Sequence, residues 1–522
     1  MIGLPDTFNA ATYFVDRNVL EGRGRNIAIE CGDELVSYHQ LLERTNKVGH
    51  TLRTLGVRPE ERVVLLLVDS PEFLYSFFGA IKIGAVGVPV NTMAKPHEYE
   101  HILNDCRARV ALVSESLLPQ LQSIPRERLR HLSHIVVAGE SQTDVLSLRE
   151  LMEAASSQLE AEHTSKDEPA FWLYSSGSTG VSKGCIHLQH DMVVCSELYA
   201  NGILQMNERD RCLSVARLFF AYGLGNAGYF PLSCGATAIL SPARPNPASI
   251  FEMIERRRPT LFFSVPSNFA ALLAHRREDG KEYDLSSVRH AISAGEALPA
   301  PLFDRFKKRF GVDILDSWGS TETLHMAIAS RPGEAKPGSS GKIIPGYEAK
   351  IVDENGSAVS PNEIGDLYVK GDSICIGYWN QHERTKEAIV GQWFRTGDKF
   401  YQDTGGYFWH AGRADDLFKV NGRWLSPSEV ESTLIEHPAV REAAVVARED
   451  EAGLPKPAAY VVLNAEFSPR DQLAGDLQNW VADKIGGYKR PRWVEFLPEL
   501  PKTTTGKLQR FKLRALHDQA PQ

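Results

Sequence analysis

Short apolar runs alternate with helix-periodic segments in the first third of this chain, and that alternation restricts the fold more than any other feature. Residues 63–68 (Val-Val-Leu-Leu-Leu-Val), 110–113 and 135–138 read as buried strands, and residues 38–55 and 71–83 carry helical patterns. Parallel neighbours need a long crossover, usually a helix, so this alternation implies βαβ units and a mostly parallel sheet. Further strand candidates recur at 237–240, 260–263, 291–293 and 313–315, after a polar surface connection at 154–168. From about residue 343 to 378 the chain becomes richer in glycine and short strands, which reads as a small antiparallel, barrel-like subdomain. A last unit of about 100 residues begins near Gly412, with strands at 443–446 and 459–463, a helix at 472–484 and a basic tail at 502–514.

At 522 residues, a guide of about 150 residues per domain predicts three or four units. The net charge of −8 argues against non-specific binding to nucleic acid, although a local basic patch can still hold a phosphorylated ligand. Seven scattered cysteines without a C-x-x-C pair fit reduced thiols in a cytoplasmic protein better than disulfides or zinc. The sixteen histidines form no H-E-x-x-H motif, so a metal held by protein side chains alone is not expected. No basic-then-apolar leader opens the chain, and the apolar window 73–90 carries Lys82. That window reads as a core helix followed by a strand, not as a membrane span.

The apolar run Phe171-Trp172-Leu173 leads into Tyr174-Ser175-Ser176-Gly177-Ser178-Thr179-Gly180-Val181-Ser182-Lys183-Gly184. Glycines let the backbone approach a ligand and turn its N–H groups inward; hydroxyls add donors and lysine adds charge, a combination suited to a polyphosphate. Taken alone, the segment reads equally well as a flexible Ser/Gly linker. Its place between a strand and the helix-like run 192–194 favours the phosphate reading. The spacing departs from G-x-x-x-x-G-K-[ST], so the loop differs from that of the common nucleotide triphosphatases.

Other segments carry candidate chemistry. Ser293-Ala294-Gly295-Glu296-Ala297 and Asp316-Ser317-Trp318-Gly319-Ser320-Thr321-Glu322 each follow a strand, where α/β folds place ligands. Trp393-Phe394-Arg395-Thr396-Gly397-Asp398, Gly412-Arg413-Ala414-Asp415-Asp416 and Pro501-Lys502-Thr503-Thr504-Thr505-Gly506-Lys507 come later. Singly, such an aspartate is a turn residue and such lysines a solvated tail.

The ordered set at 174–184, 318–322, 393–398, 412–416 and 501–507 resembles the acyl-adenylate-forming superfamily of acyl-CoA synthetases, adenylation domains and luciferases. Phe219-Phe220-Ala221-Tyr222-Gly223-Leu224-Gly225-Asn226 and residues 319–325 further resemble the benzoate-CoA ligase group. The resemblance implies an α/β fold with a large N-terminal domain (1–413) of βα subdomains plus a small barrel-like one. A hinge at 414–416 and a small mobile α+β domain (417–522) would follow. It also implies two half-reactions: a carboxylate displaces pyrophosphate from ATP, giving an acyl-adenylate, and the thiol of coenzyme A then displaces AMP.

By that resemblance Ser175, Ser176, Gly177, Ser178, Thr179, Gly180 and Lys183 would hold the β- and γ-phosphates. Thr321 would donate to the α-phosphate and Glu322 would help hold Mg²⁺. Gly295, Glu296, Ala297, Ser317, Trp318 and Gly319 would border the adenine; Asp398 and Arg413 would grip the ribose. Lys507 would be the main cation of the first step. Asp415 would be the turning point, after which Lys419, Asn421 and Gly422 would line the CoA tunnel. Ala221, Tyr222, Gly319, His325 and Met326 match the acyl pocket, where a small Ala/Gly pair leaves a flat slot between aromatic walls. Met326 and Trp318 depart from the benzoate pattern, and adaptable methionine would suit a substituted ring such as 2-aminobenzoate. A carrier-protein phosphopantetheine as acceptor, a medium-chain acid as substrate, and a monomer or homodimer all stay open.

Overall fold

The computed structural model describes residues 2–139, 145–175, 182–413, 416–420, 423–451, 453–502 and 508–518. Two large sheets dominate it. The first has seven strands in the order Leu146–Ser147, His134–Ala138, Val110–Ser114, Arg62–Leu66, Val86–Pro89, Pro169–Ser175 and Lys183–Leu188. All its pairings are parallel except the last, where Pro169–Ser175 meets Lys183–Leu188 antiparallel. The second has nine strands in the order Lys342–Ile343, Met326–Ala329, Ile314–Gly319, His290–Ser293, Leu261–Ser264, Arg211–Ser214, Thr237–Leu240, Ile27–Cys31 and Glu34–Ser37. It is parallel through its centre and antiparallel at both ends.

Local chemistry explains the helices between them. Helix Tyr38–Thr54 starts at a capping box: Gln40 N donates to Ser37 Oγ, and Gln40 Oε1 accepts from Ser37 N at 2.9 Å. Helix Pro71–Lys82 begins with proline, which costs nothing at a position whose N–H has no helical partner. Phe73, Phe77 and Phe78 on it are fully buried, and the largest core cluster joins them to Phe14, Phe171 and Phe230. Each such side chain withdrawn from water contributes about 1.5–3 kcal/mol. Lys82, at its end, is buried against Asp16 at 2.6 Å, so the 73–90 window is a core helix and strand as expected.

An antiparallel sheet of five strands follows, running from Glu348–Val352 to Phe408–Arg413. It therefore extends well past the 343–378 region that glycine density suggested, because its longest strand, Trp393–Gln402, was hidden within a site motif. The last unit has its own core, with Leu425, Val430, Leu434, Val440, Val461 and Leu477 buried together. Three strands, Val440–Glu449, Pro455–Leu463 and Trp493–Phe496, carry it. Among the described residues, no helix is long and apolar enough to cross a membrane.

Candidate active site

Ser175 stands directly opposite Lys183 in the antiparallel pair that flanks the glycine-rich segment. The segment therefore connects two antiparallel neighbours. The helix-like run at 192–194 comes only after the returning strand, in helix Asp191–Cys195. Ser176, Gly177, Ser178, Thr179 and Gly180 lie outside the described residues.

At the start of the returning strand the Lys183 ammonium lies 3.3 Å from Glu322 Oε1 and 3.7 Å from the centre of the Tyr378 ring. The Tyr378 hydroxyl donates to the same Glu322 oxygen at 2.9 Å. Burial, reinforced by Glu322, pushes the Tyr378 hydroxyl well above its usual range, so it stays a donor. The arrangement is a cation and a carboxylate, both mostly sheltered, with charges that a phosphate or a metal ion can each engage.

Thr321 and Glu322 sit in a tight turn whose carbonyls are individually held. His187 Nε2 reaches Thr321 O at 2.8 Å, Cys375 N donates to Glu322 O at 2.8 Å, and Ser373 Oγ donates to Thr323 O at 2.8 Å. Leu324 closes the turn at φ +63°, a strained value for a side chain of its size. Among the described residues, neither the Thr321 nor the Glu322 N–H meets an acceptor. Two backbone donors and a hydroxyl thus stand beside a lysine, a setting suited to an oxyanion.

Asp398 lies in strand Trp393–Gln402, opposite Arg413 in the neighbouring strand. The Trp318 indole donates to Asp398 Oδ2 at 2.9 Å, and Arg413 Nε lies 3.4 Å from Oδ1. Burial alone would raise the Asp398 carboxyl, but His410, Arg413 and Trp318 overcome it and hold the group below its ordinary value. Gly295, at φ +88°, follows strand His290–Ser293, and Glu296 next to it accepts the Leu508 N–H at 3.2 Å. Ala297 follows in the same loop, whereas Ser317, Trp318 and Gly319 continue strand Ile314–Gly319 instead of following it. Lys507 lies outside the described residues; Leu508, its neighbour, is thereby held against this face.

The expected acyl pocket also assembles in part. Gly319 pairs with Met326 across two strands. The His325 ring meets Tyr222 at 5.6 Å, Tyr199 at 5.5 Å and Phe230 at 4.4 Å between centres, and Ala221 is buried beside Tyr222. His325 Nε2 bonds Asn226 Oδ1 at 3.1 Å, and burial drives the imidazole down to about 3, so it is neutral. The reason for Gly319 differs from the flat-slot argument. A Cβ there would stand 2.2 Å from His325 O and 2.7 Å from its carbonyl carbon, so the returning backbone excludes any side chain.

Lys419 is not brought to the cleft; its ammonium lies 3.9 Å from Glu354 Oε1 on the antiparallel sheet side. Asp415, Asn421 and Gly422 lie outside the described residues. Sequence reasoning assigned no role to Tyr378, His410 or Asp316. Asp316 is buried, with Oδ1 unpartnered among the described residues and the carboxyl driven well above its ordinary value by burial. A charged residue at the carboxyl end of an apolar strand was the available signal for Asp316; Tyr378 and His410 had none.

The AMP-binding enzyme pattern matches residues 16–379, and the AMP-binding enzyme C-terminal domain pattern matches residues 429–507. The chain is an AMP-binding enzyme. Relatives of this AMP-binding enzyme include benzoate–CoA ligase of Thauera aromatica, 45% identical over 98% of this chain and 97% of that protein. Anthranilate–CoA ligase of Pseudomonas aeruginosa is 35% identical over 96% of this chain and 94% of its own length. Among solved structures, the anthranilate CoA ligase AuaEII in complex with anthranoyl-AMP superposes with a TM-score of 0.94 at 43% identity, covering 99% of this chain and 98% of that one.

Proposed function

We propose that this AMP-binding enzyme is an ATP-dependent aryl-CoA ligase that activates benzoate or a substituted benzoate such as 2-aminobenzoate. One observation carries the reading: the aromatic cluster around Tyr222 and His325 and the anion-suited turn at Thr321 and Glu322 are joined by a single short segment. A ring held among those side chains presents its carboxylate toward a phosphate held at the turn. The names of the relatives support the same substrate class.

In the first step a carboxylate oxygen bonds to the α-phosphorus. The bond to the bridging oxygen breaks, and its electron pair leaves with pyrophosphate. Both reactants are anions, so cations and N–H donors must offset their repulsion. Lys183 and the segment 175–180 hold the leaving phosphates. The Thr321 hydroxyl and the N–H groups of residues 321 and 322 face the α-phosphate, and Lys507 bridges carboxylate and phosphate. Asp398 and Arg413 hold the ribose, while Gly295, Glu296, Ala297, Ser317, Trp318 and Gly319 border the adenine. In the second step the sulfur of coenzyme A bonds to the acyl carbon and AMP leaves.

Glu322 fits a hard divalent ion, since it is a sheltered carboxylate whose present partners are one mobile ammonium and one hydroxyl. It would hold Mg²⁺ together with phosphate oxygens, and the ion would neutralise phosphate charge. We place the domain boundary at 414–416, with Asp415 as the pivot that carries Lys419, Asn421 and Gly422 to the thiol side, and the reaction in the cytoplasm.

Acid-dependent pyrophosphate release across substituted benzoates, with and without CoA, tests the proposal. Highest turnover on benzoate or 2-aminobenzoate, with thioester formed from CoA alone, is the expected result. Best turnover on octanoate or longer acids would overturn the aryl reading. An absolute need for a carrier protein would overturn the acceptor.

A further inference from the structure

One buried His–Asp pair beside the turn has no part in the chemistry above. His187, on strand Lys183–Leu188, is fully buried and stacks on Phe171 with ring centres 5.2 Å apart and planes 15° apart. Its Nδ1 lies 2.7 Å from Asp191 Oδ2, and its Nε2 lies 2.8 Å from Thr321 O. A carbonyl oxygen can only accept, so Nε2 carries the hydrogen of the bond to Thr321 O. Asp191 is also fully buried; its Oδ2 accepts Leu188 N at 3.1 Å, and its Oδ1 lies 3.2 Å from His190 Nε2.

A buried polar pair is a poor way to stabilise a core, because apolar side chains of similar volume do at least as well. What an apolar residue cannot do is hold a carbonyl. We propose that His187, oriented by Asp191, is a positioning residue that sets the plane of the peptide between Thr321 and Glu322. A trans peptide points its N–H away from its C=O. Anchoring Thr321 O in the core therefore turns the Glu322 N–H away from His187. The same carbonyl also accepts Leu324 N at 3.1 Å, and Leu324 stands at its strained φ of +63°. The His187 bond offsets the tendency of this turn to relax.

The proposal rests on Thr321 and Glu322 serving the adenylation step, and the test separates the two ideas. The amide nitrogen of asparagine can replace Nδ1, and that of glutamine can replace Nε2. His187→Asn therefore keeps the Asp191 bond and loses the Thr321 bond, whereas His187→Gln keeps the Thr321 bond. Acid-dependent pyrophosphate release should lose about 10- to 100-fold in kcat for H187N, as expected for misplacement of reacting groups by roughly 1 Å. KM for benzoate should stay within about twofold, and H187Q should recover kcat to within about fivefold. Thermal melting is measured alongside. Equal kcat for H187N and H187Q, at either level, overturns the proposal. If H187N does not fold, a folded H187Q with a loss of tenfold or more does so, and near-normal turnover supports it. T321A, run in parallel, tests the underlying reading: wild-type activity there removes the Thr321 hydroxyl from the adenylation step, whatever His187 does.

Discussion

The Leu508 N–H donates to Glu296 Oε1 at 3.2 Å, joining the C-terminal domain to the loop beyond strand His290–Ser293 in the N-terminal domain. Two further contacts cross the same boundary: Ser426 Oγ to Ala411 O at 2.6 Å and Arg305 Nη2 to Ile435 O at 3.3 Å. They hold the residue next to Lys507 against the face that carries Gly295 and Glu296.

Lys507→Ala should lower acid-dependent pyrophosphate release by at least about 100-fold, the scale of one lost transition-state donor. Thioester formation from pre-made acyl-adenylate should stay within a few-fold. Single-turnover assays of each half-reaction make the comparison, and equal losses in both would remove the assigned role.

Tyr378→Phe deletes the 2.9 Å hydrogen bond to Glu322 while leaving the ring beneath Lys183. A hydrogen bond to a charged group is worth about 1.5–3 kcal/mol. The variant should raise the KM for Mg·ATP about tenfold and leave the KM for benzoate unchanged. A matched rise in both would show that Tyr378 acts on general folding and not on Glu322.

Asp398→Asn keeps the shape but removes the charge opposite Arg413 and His410. AMP affinity, measured by calorimetry, should fall about 10- to 100-fold, the range for losing a charge-assisted contact. Trp318 fluorescence should change in the free enzyme, because its indole donates to that carboxylate. Unaltered affinity with altered fluorescence would limit Asp398 to a structural part.

His325 gives a pH signature. Its folded-state value of about 3 lies below the usual 6.5, so below pH 6.5 the unfolded chain binds more protons than the native one. Stability then falls as pH drops from about 6.5 toward 3, by about 2 kcal/mol at pH 5 for this group alone. Chemical denaturation of wild type and H325Q at pH 7.5 and pH 5 isolates the effect. The wild type should lose about that much more than the variant; parallel losses would show that His325 is not buried neutral.

Much of the fold was legible along the chain. Strand Thr237–Leu240 and helix Tyr38–Thr54 matched their expected positions to within a residue, because apolar runs and helical periodicity are local signals. The extent of the antiparallel sheet was not, since strand Trp393–Gln402 alternates burial under a motif that drew attention to its chemistry. Tyr378 and Glu322 are far apart in sequence, and nothing periodic announces that they meet.

Sequence alone determined the α/β class and the family, because periodicity and ordered motifs are carried by neighbouring residues. Only the tertiary structure decided that the strands on either side of the glycine-rich segment pair antiparallel, that glycine at 319 answers to the backbone of His325, and that His187 grips Thr321. Each is a relation between segments with independent local preferences. Strand pairing and close packing bring those segments together, and neither leaves a mark in the residues taken one after another.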